Sequence, residues 1–348
     1  MAHKKILQII PDTFLENSEP LLISLNRNLA SQANIHSCLL SLNRQVKNQK
    51  SLDFIKRNIK NLTVIVEPFP IPFLSLLRLK KLLKNIQPDI VHLWHFGNHP
   101  VLSSDRGGKY FSILPFLTSK HTDSAFKFIG QGLACCSAVP DTSDKIVDKA
   151  TLLHSLQIPI PPSKSFPLLI GVIEPLIREK RIRELLWACD QLKFAQIDCH
   201  LIIIGEGPER DILFRYRDAL LIRDHVHFLG YYPDYLKLLP CFDIVWSAGS
   251  DAGSSLPLLD AMAFGIPIIA SDSPVHREFI TSGKTGILIP DFDGDISRRR
   301  SAFSHETILL VRQETHRRQL GQNAQQSISR TFSFDIGIQK YKKLYEIL

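Results

Sequence analysis

The sequence predicts an α/β protein made of two doubly wound, parallel-sheet domains in series. Three observations carry this. Short apolar runs alternate with helical patterns almost throughout, and strands alternating with helices imply parallel βαβ units with both faces covered. The chain has 348 residues, which suits two domains of about 150–170 residues each. Finally, LQIPIPPSKSF at 156–166 places three prolines close together ahead of Ser-Lys-Ser. Neither a helix nor a central strand accepts that segment, so it reads as a linker.

Taken in order, the first half holds strand-like runs at KILQIIP (4–10), IHSCLLSL (35–42), LTVIVE (62–67) and DIVHLW (89–94), with weaker ones at FSILPFL (111–117) and GLACCSA (132–138). Helical patterns lie around 19–32 and 73–86. A second series begins directly after the linker: LLIGVIE (168–174), HLIIIGEG (200–207), HVHFLG (225–230), DIVWSAG (243–249), IPIIASD (266–272) and GILIP (286–290). Helices fill the gaps at about 178–194, 208–220, 255–264 and 275–281. From 305 onward no strand signal remains, and the tail reads as helical with a break near Phe332–Ser333. The expected division is therefore 1–158, a linker at 159–166, 167–332, and a closing helix at 333–348. Ligands of such sheets bind beyond the carboxyl ends of the strands.

Composition narrows the class. Hydrophobic residues make up 44% and charged residues 22%, as in a soluble globular chain. The formal net charge of +8 favours anionic partners without choosing among them. The start, MAHKKILQIIPD, has too short an apolar run for a signal peptide and reads as a first strand. No run of about 18 apolar residues exists, so no membrane span is expected. The six cysteines, at 38, 135, 136, 189, 199 and 241, form no CxxC pair and read as free thiols in a reducing cytosol.

Three loops of the second series carry candidate chemistry. In IIIGEGPER, Gly205 and Gly207 follow an apolar strand and Pro208 opens a helix. Glycine there lets the backbone approach a ligand, and a helix N-terminus offers unpaired N–H groups. A plain tight βα turn is the alternative. A dinucleotide fingerprint is disfavoured, because its third glycine position holds Arg210. In GVIEPLIREKRIRELLWA, Arg178, Lys180 and Arg181 sit where a helix starts. Cations are unfavourable against that end of the helix dipole, so they either compensate a bound anion or form a solvated basic turn. In SDAGSSLPLLDAMAFGIPIIASD, Ser254 or Ser255 caps a helix, Pro257 occupies its first turn and Gly265 closes it. Its free N–H groups suit a phosphate. Asp260 lies a turn further in among apolar neighbours. It needs a partner there, either the hydroxyls of a ribose or a capping or salt-bridge group.

Together these stretches resemble the GT-B glycosyltransferases of the large retaining family 4, the glycosyl transferases group 1 domain. The markers run in order: GVIE…REKRIRELLWA, LIIIGEGPER, VHFLGYYPD, CFDIVWSAGSDAGSSLPLLDAMAFGIPIIASD, HREFITSGKTGILIPDFD and RTFSFDIGIQKYKKLYEIL. The first domain agrees more loosely, through KKILQIIP and QPDIVHLW. The resemblance implies two Rossmann-like domains facing a cleft, with the C-terminal helices crossing back to the first. It implies a nucleotide-diphosphate sugar bound by the second domain, a glycan or lipid-linked acceptor bound by the first, and transfer with retention and no metal or other cofactor. By the same resemblance Lys180 matches a phosphate-binding lysine, and Gly253, Ser254, Ser255 and Leu256 supply N–H groups. Asp260 takes the ribose-binding position of the E-x7-E pair, Gly205, Glu206 and Gly207 border the nucleotide, and Glu278 follows the next strand. His121 matches a histidine on the acceptor side.

The departures are specific. The first glutamate of the pair falls on Ala252, with Asp251 beside it, and the second is shortened to Asp260. The family's arginine falls on Val172, with Arg178 as a replacement. The first loop, PDTFLENSEP, has no glycine. The alternative expectation is accordingly a family member that keeps the fold with weakened or lost catalysis and acts as a binding or partner subunit.

Other candidates read more plainly. His92, His95 and His99 fall close together in HLWHFGNH, but no metal site is expected of them. LSLLRLKKLLKNI (74–86) has an apolar stripe with Arg78, Lys80, Lys81 and Lys84 on other faces. It reads as a sheet-packing helix, or one that also rests a basic face on anionic lipid. Arg298, Arg299 and Arg300 read as a solvated charge run, and no nucleic-acid motif accompanies them. The expected location is the cytoplasm, with the inner face of the membrane as a second placement.

Overall fold

The computed structural model describes residues 4–11, 19–41, 49–66, 73–93, 147–159, 166–249 and 255–345. The weaker strand readings at 111–117 and 132–138, the Cys135–Cys136 pair, and His95, His99 and His121 lie outside the described residues. So do Asp251, Ala252, Gly253 and Ser254. The chain divides into two units, Met1–Ala134 with Asp335–Leu348, and Cys135–Phe334.

The first unit is built on strands β1 (Lys4–Pro11), β2 (Ala33–Ser41), β3 (Leu62–Val66) and β4 (Ile90–Leu93), in the order β3-β2-β1-β4. Every pairing is parallel. Helices α1 (Glu19–Leu29), α2 (Gln49–Asn58) and α3 (Phe73–Ile86) connect them. Helix α3 lays Leu79, Leu82, Leu83 and Ile86 on a core of Leu7, Ile9, Cys38, Leu40, Ile65 and Val91. The sequence reading passed over α2. Its ten residues bury only Ser51, Leu52 and Ile55, too few apolar anchors to display a period.

The last helix of the chain (Phe334–Leu344) belongs to this first unit. Tyr345, just beyond it, is fully buried. Its hydroxyl accepts from Gln8 Nε2 at 3.2 Å and lies 2.6 Å from His92 Nδ1. Gln8 Oε1 in turn accepts from Asn26 Nδ2 at 3.3 Å and Ser37 Oγ at 3.4 Å. A buried polar group must find such partners, so this chain of side chains specifies how the tail docks.

The second unit holds β5 (Leu168–Ile173), β6 (Cys199–Ile204), β7 (Val226–Gly230), β8 (Ile244–Ser247), β9 (Ile268–Ser271) and β10 (Ile287–Ile289), in the order β10-β9-β8-β5-β6-β7. All pairings are again parallel. Every residue of β5 and β6 is buried, which is why both read as unbroken apolar runs. Helices α4 (Lys149–Ser155), α5 (Ile182–Phe194), α6 (Arg210–Ala219), α7 (Ser255–Ala263), α8 (Pro274–Arg277), α9 (Ile296–Arg312) and α10 (Glu314–Thr331) complete the unit, and the closing helix of the chain is α11. The gap between α10 and α11 falls at Phe332–Ser333, the break read from sequence.

Two sequence readings need restating. Helix α4 packs with the second unit, through Lys149 Nζ to Asp243 Oδ2 at 2.6 Å and Val147 N to Lys237 O at 3.1 Å. The sequence division had ended the first domain at 158. Prolines mark a break in regular structure, and they do not decide which core takes the helix beside them. The run Arg298–Arg300 is solvated only in part, with Arg298 exposed and Arg300 half-buried. Arg299 is buried, with both guanidinium edges engaged by Glu184 at 3.0 and 3.1 Å and by Asp291 at 2.8 Å. Arg298 and Arg300 lie over the rings of Phe292 and Trp187. Helix periodicity in α9 turns one arginine inward, which a count of like charges does not register.

Candidate functional site

Those predicted residues that are described lie at the carboxyl ends of the second unit's strands. β5 ends at Ile173 and is followed by Glu174, then by a short 3-10 turn, Arg178–Lys180. Lys180 is 1% exposed and Glu174 2%. Lys180 Nζ lies 3.1 Å from Glu174 Oε2. Glu174 Oε1 accepts from Ser247 Oγ, at the end of β8, at 2.7 Å. One carboxylate oxygen of Glu174 thus faces the Lys180 ammonium while the other is held by Ser247.

The other cations of this turn have different surroundings. Arg178 is exposed. Arg181 caps α5 in the left-handed conformation, φ 52°, and reaches Asp291 at 3.3 Å. The unfavourable placement of cations at a helix start is thus met, for Lys180 and Arg181, by acids of the chain itself.

The two glycines of GEG are set by backbone packing. Gly205 has φ +148°, and a Cβ there would stand 1.9 Å from Glu174 O. A Cβ on Gly207 would stand 2.4 Å from Leu176 O. The loops after β5 and β6 lie against each other, through Glu174 N to Ile204 O, Leu176 N to Glu206 O and Glu209 N to Leu176 O, each at 3.0 Å. The close approach that demands glycine is loop on loop, which is the tight-turn reading.

Helix α7 begins at Ser255, with Leu256 half-buried and Asp260 1% exposed. Asp260 Oδ2 accepts from the Tyr235 hydroxyl at 2.6 Å. That buried tyrosine comes from the loop after β7, and the sequence reading missed it. Helix α7 closes at Gly265, φ +72°, with Gly265 N on Met262 O and Ile266 N on Ala261 O. Beyond β9, Ser273 caps α8 by accepting from His276 N, and Glu278 follows that helix on the surface. A recess of 170 Å³ lies beside it, lined by Arg181, Ser271, Asp272, Ser273, Asp291 and Arg299 among others. Arg181 and Arg299 both pair with Asp291, and Asp272 pairs with Arg277 at 2.5 Å.

Elsewhere, His92 is buried against Tyr345 in the first unit. Burial pushes its imidazole down to about 4. Among the described residues no three His, Cys, Asp or Glu side chains are grouped to hold a metal ion. Val172, which the sequence reading set against the family's arginine, is fully buried in the core of the second unit. Of the residues now evident at these strand ends, Glu174, Ser247 and Tyr235 were absent from the sequence reading. Glu174 carried a signal, as a lone carboxylate directly ending an apolar strand. Ser247 and Tyr235 did not.

Residues 157–327, just under half of the chain, match the family model described as Glycosyl transferases group 1. Among curated proteins, the N-acetyl-alpha-D-glucosaminyl L-malate synthase of Bacillus anthracis is 27% identical over 166 residues, covering 48% of this chain and 42% of that protein. The GtfA subunit of the UDP-N-acetylglucosamine–peptide N-acetylglucosaminyltransferase of Streptococcus gordonii is 26% identical, covering 53% of this chain and 37% of that protein. The chain thus aligns with less than half of the length of these relatives. Among solved structures, Anabaena HepE in complex with UDP and glucose superposes with a TM-score of 0.69 at 16% identity, over 99% of this chain and 100% of that one. The sucrose-phosphate synthase of Thermosynechococcus elongatus superposes at 0.66 and 14% identity, over 99% and 98%. Residues 157–327 are thus similar to the group 1 glycosyl transferase domain, and the fold, two parallel-sheet α/β domains, is that of the GT-B structures.

Proposed function

We propose that the chain transfers a sugar from a nucleotide-diphosphate sugar to a glycan or lipid-linked acceptor, with retention of anomeric configuration and no bound metal. The observation that carries this reading is the convergence of the group 1 motifs on one end of one sheet: Lys180 after β5, the GEG turn after β6, and the start of α7 with Asp260 after β8. The relatives' names and the UDP and glucose held by HepE support a donor of this class. Breaking the anomeric carbon–oxygen bond leaves negative charge on the departing diphosphate, and stabilising that charge is the main catalytic task. Lys180 and the N–H groups at the start of α7 are the groups for it. Asp260 would accept from the ribose, with Arg178, Gly205, Glu206, Gly207, Gly253, Ser254, Ser255, Leu256 and Glu278 bordering the donor. Asp251 would stand in for the missing glutamate, and His121 would face the acceptor.

The proposed location is the cytoplasmic face of a membrane. Helix α3 carries Arg78, Lys80, Lys81 and Lys84 exposed, with exposed Leu77 and no acid. Such a face suits anionic headgroups. Among the described residues no helix is long and apolar enough to cross a membrane.

A second reading, a homologue with weakened catalysis that serves as a binding or partner subunit, is favoured by one observation. Val172 is enclosed in the core, so no cation from that position can reach a diphosphate. Calorimetry with UDP, GDP and their sugars tests the donor reading. Binding that Lys180→Ala abolishes supports it, and silence toward every nucleotide sinks it. Product detection with the donor that binds then separates the enzyme from the binding subunit.

A further inference from the structure

Three histidines meet at the amino-terminal end of the second unit's sheet, opposite the proposed donor loops. His200 is the second residue of β6, His225 ends the 3-10 turn Arg223–His225, and His227 lies in β7. Side chains alternate along a strand. Leu201, Ile203, Val226 and Phe228 face the core that holds α5, so His200 and His227 share the opposite face. His227 pairs in register with Ile202, which sets its ring diagonal to that of His200. The two rings touch: His200 Nδ1 and His227 Nε2 are 3.1 Å apart. The His225 ring stacks on His200 at 5.5 Å between centroids, and His225 Nδ1 lies 3.1 Å from the carbonyl oxygen of Cys199. His200 is 7% exposed, and His225 and His227 are half-buried. Among the described residues β7 pairs with β6 alone.

We propose that the His200–His227 contact is a proton-sensitive latch on the edge strand β7, closed while the two facing nitrogens hold one hydrogen between them and released when each carries its own. A hydrogen bond between two ring nitrogens needs one N–H and one lone pair. Two neutral rings supply that, and so does one neutral ring facing one imidazolium. Two imidazoliums do not: both nitrogens then point hydrogens at each other, and two like charges stand 3.1 Å apart. Burial, and then the neighbouring His225, holds His200 below its ordinary value, against Asp198 and the Asp224 backbone. Burial brings His227 down to about 4, with His200, Arg217 and His225 acting in the same direction and the Asp224 backbone against them. Opening of β7 returns these rings to water, where an imidazole titrates near about 6.5. The open strand therefore takes up protons that the closed one refuses. The latch is at full strength above about pH 6.5 and weakens as pH falls toward about 4. β7 ends at Gly230, whose carbonyl accepts from Gly205 N at 2.9 Å, so a released strand is felt at the GEG turn. The inference does not depend on the donor reading.

Hydrogen–deuterium exchange of the full chain, read by mass spectrometry and corrected for the intrinsic effect of pH, tests the latch. With His227 at about 4 when closed and near about 6.5 when open, the opening of β7 should rise about tenfold between about pH 7.5 and about pH 5.5. β9, in the same sheet, should change much less. His227→Gln keeps a hydrogen-bonding side chain and removes the titrating ring, so it should remove most of this rise. The double variant that adds His200→Gln should remove all of it. Should His227→Gln fail to fold, His200→Gln carries the test, since either change leaves no facing pair. Protection of β7 that is the same at both pH values, or a rise that survives intact in the folded variant, overturns the inference. An equal loss of protection in β9 does the same, since it would mark a weakening of the whole unit rather than a latch on one strand. None of these readouts involves a nucleotide, so failure of the donor reading leaves the test standing.

Discussion

Replacing Tyr235 by phenylalanine deletes one oxygen from the second unit and leaves the buried ring in place. That oxygen donates to Asp260 Oδ2 at 2.6 Å, with Tyr235 and Asp260 each 1% exposed. A hydrogen bond to a charged group contributes about 1.5–3 kcal/mol net. No cavity larger than the lost oxygen opens, so the packing penalty is small. The unit spans residues 135–334. For domains of this size each kcal/mol moves the unfolding midpoint by about 2–4 °C, so Tyr235→Phe should lower it by about 5 °C. Scanning calorimetry on the full chain reads this directly, provided the transition of the second unit is followed. A shift under about 1 °C would refute the reasoning, because 1 °C corresponds to less than a typical neutral hydrogen bond. The same variant informs on Asp260. If the acid serves the nucleotide as well as the fold, Tyr235→Phe also weakens UDP or GDP at temperatures where the unit is intact.

Other outcomes follow from the same structure. Gly205→Ala places a methyl group 1.9 Å from the backbone oxygen of Glu174 at φ +148°. It should cost more than about 3 kcal/mol, enough to abolish soluble expression or lower the midpoint sharply. Gly283→Ala meets no atom within 4 Å and bears only the strain of φ +77°, so it should cost about 1 kcal/mol. His92, pushed down to about 4 by burial, stays neutral in the folded first unit while the unfolded chain takes a proton below about 6.5. Stability present above pH 6.5 is therefore lost as pH falls toward 4, by about 3 kcal/mol in all, and His92→Gln should flatten that slope in urea titrations at several pH values. Replacing Lys81 and Lys84 by glutamate should leave the unfolding midpoint nearly unchanged while releasing the chain from phosphatidylglycerol vesicles in a sedimentation assay. Undiminished sedimentation would remove α3 from the proposed lipid contact.

Much of the fold was legible in the sequence because parallel strands buried on both faces leave a strong local record. β5 and β6 read as apolar runs. The glycines at 205, 207 and 265 marked their turns, and the break at Phe332–Ser333 separated the last two helices. What was illegible had weak local contrast: α2, with few apolar anchors, and Arg299, turned inward within a run of like charges. The site divides along the same line. Its loops could be located from spacing, since they follow strands. Why each residue is there could not, because the reasons lie across the sheet. Gly205 and Gly207 are glycine because the loop after β5 lies on the loop after β6. Asp260 is satisfied by a tyrosine 25 positions away. Lys180 faces Glu174, six residues earlier, and that carboxylate accepts from Ser247, 73 positions on. Sequence determined which strands form and where they end, since periodicity and burial are local properties of the chain. Tertiary structure alone decided which charges meet in the interior, since desolvation makes a buried ion tolerable only where the fold delivers its partner.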